Sequence, residues 1–127
     1  MDNIEIKNAK ITSVFLGYED HGILTCSVGL DYYGSGQSFG GYGLDKWDDK
    51  EKRRVGTAYG LEWIINLLKT LEVDSIDKLK GVSVRVEASM NNVHKIGHFL
   101  KDQWFDPEEL RYKYYEKKKN EICMDIK

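Results

Sequence analysis

Between Ala58 and Leu71, Leu61, Ile64, Ile65, Leu68 and Leu71 recur at helical spacing, with Glu62, Asn66 and Lys69 on the other side. Thr57 stands where an N-cap belongs, so a main helix is expected over about 57–71. The segments around it read as strands, which restricts the chain to an α+β fold with an antiparallel sheet packed on that helix. Ile4 to Leu16 mixes β-branched and polar residues, and Gly17 to Gly22 is a turn. Ile23 to Asp31 is a second, antiparallel strand and Gln37 to Leu44 a third, so a β-meander precedes the helix. Asp45 to Lys52 reads as a charged surface connection.

Beyond the helix, Ser75 starts a short helical turn over Ile76 to Leu79, closed by Gly81. Val82, Val84 and Val86 alternate with Ser83, Arg85 and Glu87, a strand with one apolar face. Ser89 to Asn92 is a turn. His94 to Trp104 reads as a further strand, with His94, Ile96 and His98 facing one way and Lys95, Gly97 and Phe99 the other, although helix and strand are not separated here by pattern alone. Asp106 and Pro107 start a C-terminal helix, expected over about 107–119, with Glu108 and Glu109 complementing its dipole. Ile122 to Ile126 reads as a last strand, of the kind that completes a sheet in a second subunit.

A chain of 127 residues is the size of one domain, 1–127, with a core that needs no disulfide or metal. Lys and Arg number 19 against 21 Asp and Glu, so the net charge of -2 gives no long-range attraction for nucleic acid, and DNA or RNA is not the expected partner. Cys26 and Cys123 lie far apart and form no C-x-x-C pair, which fits a reducing compartment, and neither reads as a nucleophile. No signal-peptide h-region or membrane-length apolar run occurs, and a soluble cytoplasmic protein is expected.

Chemistry concentrates between Asp31 and Gly60. Gly34, Gly36, Gly40, Gly41 and Gly43 allow close backbone approach, and Tyr32, Tyr33, Phe39 and Tyr42 between them offer faces on which a base can stack. Arg53 and Arg54 precede the start of the main helix, whose unpaired amides and positive dipole end suit a phosphate. A small nucleotide with a pyrophosphate follows from that combination. The plainer reading is a bulged hairpin and a solvated Arg-Arg turn, and no phosphate-loop or dinucleotide fingerprint is present. Tyr59 and Trp63 share one face of the main helix, either as core or as a pocket wall, and Arg85 either lies exposed on its strand or presents charge to a cleft.

His21, His94 and His98 invite a catalytic or metal role. Glu19, Asp20 and His21 cannot all converge from one tight turn, and further ligands at metal spacing are missing. No H-x-[ST] repeat, Ser-His-Asp order or paired-carboxylate motif stands out, so neither a catalytic residue nor a metal site nor a cofactor is assigned.

The runs LGYEDHGILTC (16–26), GSGQSFGGYGLD (34–45), RRVGTAYGLEW (53–63) and KIGHFLKDQWFDP (95–107) resemble, in order and over roughly residues 4 to 110, the first-described Thoeris anti-defence family of phage proteins. That resemblance implies a non-enzymatic sponge acting in the infected bacterial cell. It would bind intact glycocyclic ADP-ribose, the signal made by TIR-domain enzymes, in pockets at a homodimer interface and so keep it from the defence effector. Higher homo-oligomers that hold cyclic oligonucleotides at separate sites are also implied. Carried onto this chain, Arg54 and Thr57 are expected near the phosphates, Phe39, Tyr42 and Tyr59 at the base or ribose, and Asn92 with Arg85 on the facing side, joined by His94 and Lys95. A nucleotide-cleaving enzyme, which would need the histidines, and a protein-binding inhibitor of a defence component are the alternatives.

Overall fold

The computed structural model describes residues 3–19 and 21–116. Strands β1 (Glu5–Tyr18), β2 (Leu24–Asp31) and β3 (Gly36–Gly43) form the expected meander. A small hairpin of β4 (Asp45–Asp48) and β5 (Arg53–Gly56) leads into the main helix α1 (Ala58–Leu71). A 3-10 turn at Ile76–Lys78 precedes β6 (Ser83–Ala88), β7 (Val93–His98) and the two-residue β8 (Trp104–Phe105). Helix α2 (Pro107–Arg111) then widens into a π-type turn at Tyr112–Glu116. Six strands make one antiparallel sheet in the order β3-β2-β1-β6-β7-β8, so the fold is α+β.

The long β1 serves two neighbours. Its Glu5–Lys10 half pairs with β6, and its Lys10–Tyr18 half pairs with β2. The sheet curls until β3 comes against β7, and Gln37 Nε2 of β3 ties it to the β6–β7 turn by donating to Ser89 O and Met90 O, each at 3.1 Å. Helix α1 fills the remaining gap. Trp63, with no exposed surface, stacks on Phe39 of β3 (centroids 5.6 Å apart) and meets Phe105 of β8 edge-on at 5.3 Å, so one indole joins both edges of the sheet.

Several expectations are corrected. Asp45 to Lys52, expected as a charged surface connection, is mostly exposed but carries a strand that the sequence reading lacked: β4 pairs with β5, setting Trp47 opposite Arg54. The charge of these short strands hides them from a hydrophobic-period reading. On α1 the buried residues are Tyr59, Gly60, Trp63, Leu67, Thr70 and Leu71, while Leu61 is 63% exposed, so the core face is rotated from the aliphatic stripe. The single strand expected over His94 to Trp104 is two, because a loop separates β7 from β8. Ile96 and His98 do share a face, opposite Val86 and Val84, but His94 is the extra residue of a bulge, since Lys95 pairs with Glu87 and Val93 with Ala88. The C-terminal helix keeps α geometry only to Arg111 and continues as the π-type turn to Glu116, while residues 117–119 of the expected span lie outside the described residues, as do Asp20, Cys123 and the strand expected at 122–126. No helix among the described residues is long and apolar enough to cross a membrane.

Candidate functional site

The N-terminus of α1 is capped as expected, and its surroundings are filled. Thr57 Oγ1 accepts from Gly60 N at 2.9 Å and donates to Leu44 O at 2.8 Å, which uses the hydroxyl in both directions. Gly60 lies against the Leu44 carbonyl so closely that a Cβ there would collide with it. The Leu44 backbone thus occupies space beside the amides where a phosphate was expected, and Thr57 acts as a cap.

Arg54 is committed as well. Its guanidinium sits 2.9 Å from Asp45 Oδ1 and donates to Asp45 O at 3.0 Å, while Asp45 Oδ1 also accepts from Leu24 N at 3.1 Å. The hydrogen bond from Arg54 holds the Asp45 carboxyl below its usual range. A phosphate would have to displace this buried carboxylate. Arg53 beside it is open to solvent.

Of the three aromatic candidates, two are sealed. Phe39 has no exposed surface, and Tyr59 is 3% exposed against Tyr115 at 5.5 Å between centroids. No base reaches either while the seam is shut. Tyr42 is half-buried beside Trp63, and burial followed by the Glu108 and Asp106 carboxylates raises its phenol. Burial likewise pushes the Tyr59 phenol up to about 12. The Tyr59 hydroxyl, the Trp63 indole N–H and Arg54 Nε find no hydrogen-bond partner among the described residues.

Arg85, on the outer face of β6, lies over the Trp104 ring at 5.0 Å and donates to His98 O at 2.9 Å and Lys101 O at 2.8 Å, so it ties down the loop between β7 and β8. His98 organises the same loop from the other side: Nδ1 accepts from Leu100 N and Lys101 N, which leaves the proton on Nε2, 3.4 Å from Glu72 Oε1. Asn92 is exposed in the β6–β7 turn, His94 sits in the bulge, and His21 is exposed at the β1–β2 turn. Cys26 is fully buried with its thiol pushed up to about 11. Among the described residues no three His, Cys, Asp or Glu gather to hold a metal.

A cleft of about 550 Å³ lies between α1, β7–β8 and α2. Trp104, Phe105, Leu110 and Tyr112 give it apolar and aromatic walls, and Glu62 and Asn66, one turn apart on α1, face Glu109 and Lys113 from the α2 side. Trp104 is fixed there because its ring lies flat on Gly97, where any Cβ would meet it at 2.7 Å. Lys95 is the one expected site residue among the lining residues, 3.5 Å from Glu87. Three carboxylates (Glu62, Asp106, Glu109) stand there against two ammonium groups, Lys95 and Lys113.

The structure therefore divides the nine expected residues. Phe39, Tyr42 and Tyr59 gather with Trp63 at the seam; Arg54 and Thr57 brace the start of α1; Arg85, Asn92 and His94 are spread over β6, the β6–β7 turn and β7; Lys95 reaches the cleft. Sequence reasoning passed over Trp104, Glu109 and Tyr112 as site residues. The signal available was the helix start at Asp106 and Pro107 directly after Trp104 and Phe105, which had to bring an aromatic strand end beside a charged first turn. Set against known proteins, the chain matches no family model, no curated protein and no solved structure.

Proposed function

We propose that this chain is a nucleotide sponge: a phage anti-defence protein that binds glycocyclic ADP-ribose without cleaving it, withholding the signal of a Thoeris TIR enzyme from its effector. The reading begins from the sequence resemblance. The observation that supports it in the structure is the cleft, whose volume of about 550 Å³ falls in the range of small-ligand sites and whose walls combine stacking faces with polar groups.

On this reading Trp104 and Tyr112 flank the base, Glu62 and Glu109 accept ribose hydroxyl protons, and Lys95 and Lys113 pair with the pyrophosphate. Two ammonium groups among three carboxylates leave a dianion undercompensated, so further cations come from a second copy of the chain in a homodimer. Higher assembly with cyclic oligonucleotides at other sites belongs to the same proposal. Sequestration requires slow release, and no bond in the ligand is broken.

The test is to mix purified protein with glycocyclic ADP-ribose, remove free ligand, heat-denature and chromatograph what is released. Intact ligand near one per chain is expected. A cleaved product would turn attention to an enzyme, and no retained nucleotide would sink the sponge in favour of a protein-binding inhibitor.

A further inference from the structure

The turn that leaves β7 is closed by a histidine side chain. His98 Nδ1 accepts from Leu100 N at 3.1 Å and from Lys101 N at 3.0 Å, the amides two and three residues on. Asp and Asn ordinarily make such turns, and elsewhere this chain uses Asp. Asp106 Oδ1 accepts from Glu108 N and Glu109 N, and Asp31 and Asp48 accept from the amides of Tyr33 and Lys50. An aspartate keeps its charge down to roughly pH 4, whereas an imidazole gives up its one acceptor on taking a proton within the range of about pH 5 to 8. The loop so closed also carries a wall of the cleft. Trp104 at its end donates its indole N–H to Asp102 Oδ1 at 3.1 Å, and its ring lies on Gly97 with the Arg85 guanidinium 5.0 Å from its centroid. The carbonyls that hold Arg85 there, those of His98 and Lys101, belong to the same turn.

We propose that His98 is a pH-operated latch on the β7–β8 loop, closed while its imidazole is neutral and released by protonation of Nδ1, and that it thereby sets whether Trp104 stands as a wall of the cleft. The effect on ligand rests on the nucleotide reading above; the latch itself does not. From α1, the C-cap residue Glu72 meets both ring and loop. Its Oε1 lies 3.4 Å from His98 Nε2, and its carboxylate accepts from Lys101 Nζ at 2.9 and 2.8 Å and from Gln103 Nε2 at 3.3 Å. Lys101, bound to that carboxylate, is the charged residue of the loop itself, while β6 sets Val84 opposite His98 and sends Arg85 only to its carbonyl. The hydrogen bond from Lys101 holds the Glu72 carboxyl below its usual range, so Glu72 is still an anion when the ring takes its proton. Glu72 then keeps the imidazolium in place through Nε2, while the new N–H at Nδ1 faces two amide N–H groups that have lost their acceptor. The ring stays and the turn is released, and Arg85 and Trp104 lose the carbonyls that align them.

The experiment follows the amide and indole N–H signals of the full chain by two-dimensional NMR from about pH 8 to about pH 5, wild type against His98→Asn. Asn Oδ1 takes the place of Nδ1 in such a turn and does not titrate, and circular dichroism verifies that the variant keeps the fold. In the wild type the Leu100 and Lys101 amides and the Trp104 indole N–H are expected to move along one titration curve while the β2 amides hold still. In His98→Asn the same three signals are expected to stay in place across the range. Wild-type signals that do not move, or the same curve in the variant, would overturn the latch. Retention of glycocyclic ADP-ribose over the same range tests the link to the cleft. Severalfold weaker binding in acid for the wild type, with level binding for the variant, is expected, and a parallel fall in both overturns that link. A chain that retains no nucleotide at any pH removes the sponge, and the amide signals still decide the latch.

Discussion

Helix α1 builds two places that share one element and differ in almost every physical respect. Its inner face makes the seam, where Trp63, Phe39 and Phe105 exclude water and join β3 to β8. Its flank makes the cleft, where Glu62 and Asn66 face Trp104, Tyr112 and the charged side chains of α2 across open space. The seam holds aromatics in fixed contact and has no room for a ligand. The cleft has room, mixed charge and little packing to lose. Stacking surface alone is therefore a poor guide to where a base binds, because the same rings serve a core when no face is left free.

That contrast is sharpest under truncation at the seam. Trp63→Ala removes the largest fully buried side chain and leaves both sheet edges without their common neighbour. It is expected to cost about 3–5 kcal/mol, read as a shift of the denaturant midpoint. A loss below about 1 kcal/mol would mean that the seam collapses around the gap and that the two edges are joined mainly by other contacts.

The next effect tests the closed start of α1. Ala is the better helix former, so Gly60→Ala on an open helix would stabilise by up to about 1 kcal/mol. Here the new methyl meets the Leu44 carbonyl, a backbone atom that cannot swing away, and a net destabilisation of about 1–3 kcal/mol is expected by chemical denaturation. A stabilised variant would reopen the N-terminus of α1 as a place for a phosphate. Thr57→Ala follows with a loss of about 1 kcal/mol, since it removes the acceptor for Gly60 N and the donor to Leu44 O together. A larger loss of nucleotide binding than of stability in that variant would return Thr57 to the ligand.

The elements legible in the sequence are those whose period is carried by residues that only packing explains. The alternating valines gave β6, and Thr57, Asp106 and Pro107 marked both helix starts. The rotation of α1 was not legible, because Leu61, Ile64, Ile65 and Leu68 form a second apolar stripe and only the tertiary partners Phe39, Leu44 and Phe105 select the face holding Gly60 and Trp63. The hairpin β4–β5 was missed for the opposite reason, having too little apolar character to count. For the site, residue type misled more than spacing did. Arg54 looks like a phosphate ligand until Asp45, nine residues earlier, is seen 2.9 Å away, and Arg85 likewise spends its donors on His98 and Lys101 carbonyls. The cleft needs β8, α1 and α2 brought together, and no local pattern encodes that meeting.

The smallest change in stability is expected where the largest change in binding is, and this makes the cleft separable from the scaffold. Tyr112 is 56% exposed and Lys113 is exposed, so Tyr112→Ala and Lys113→Gln should each move unfolding free energy by no more than about 0.5 kcal/mol. If the cleft holds the base and the pyrophosphate, Tyr112→Ala loses one stacking face, about 1–3 kcal/mol or roughly 5- to 150-fold in affinity. Lys113→Gln should weaken binding less at high salt than at low, since what it removes is a solvent-screened charge. Titration calorimetry at two ionic strengths reads both effects against an unchanged melting curve. Affinity that stays level in both variants while Trp63→Ala abolishes it would place the ligand at the seam and require that seam to open.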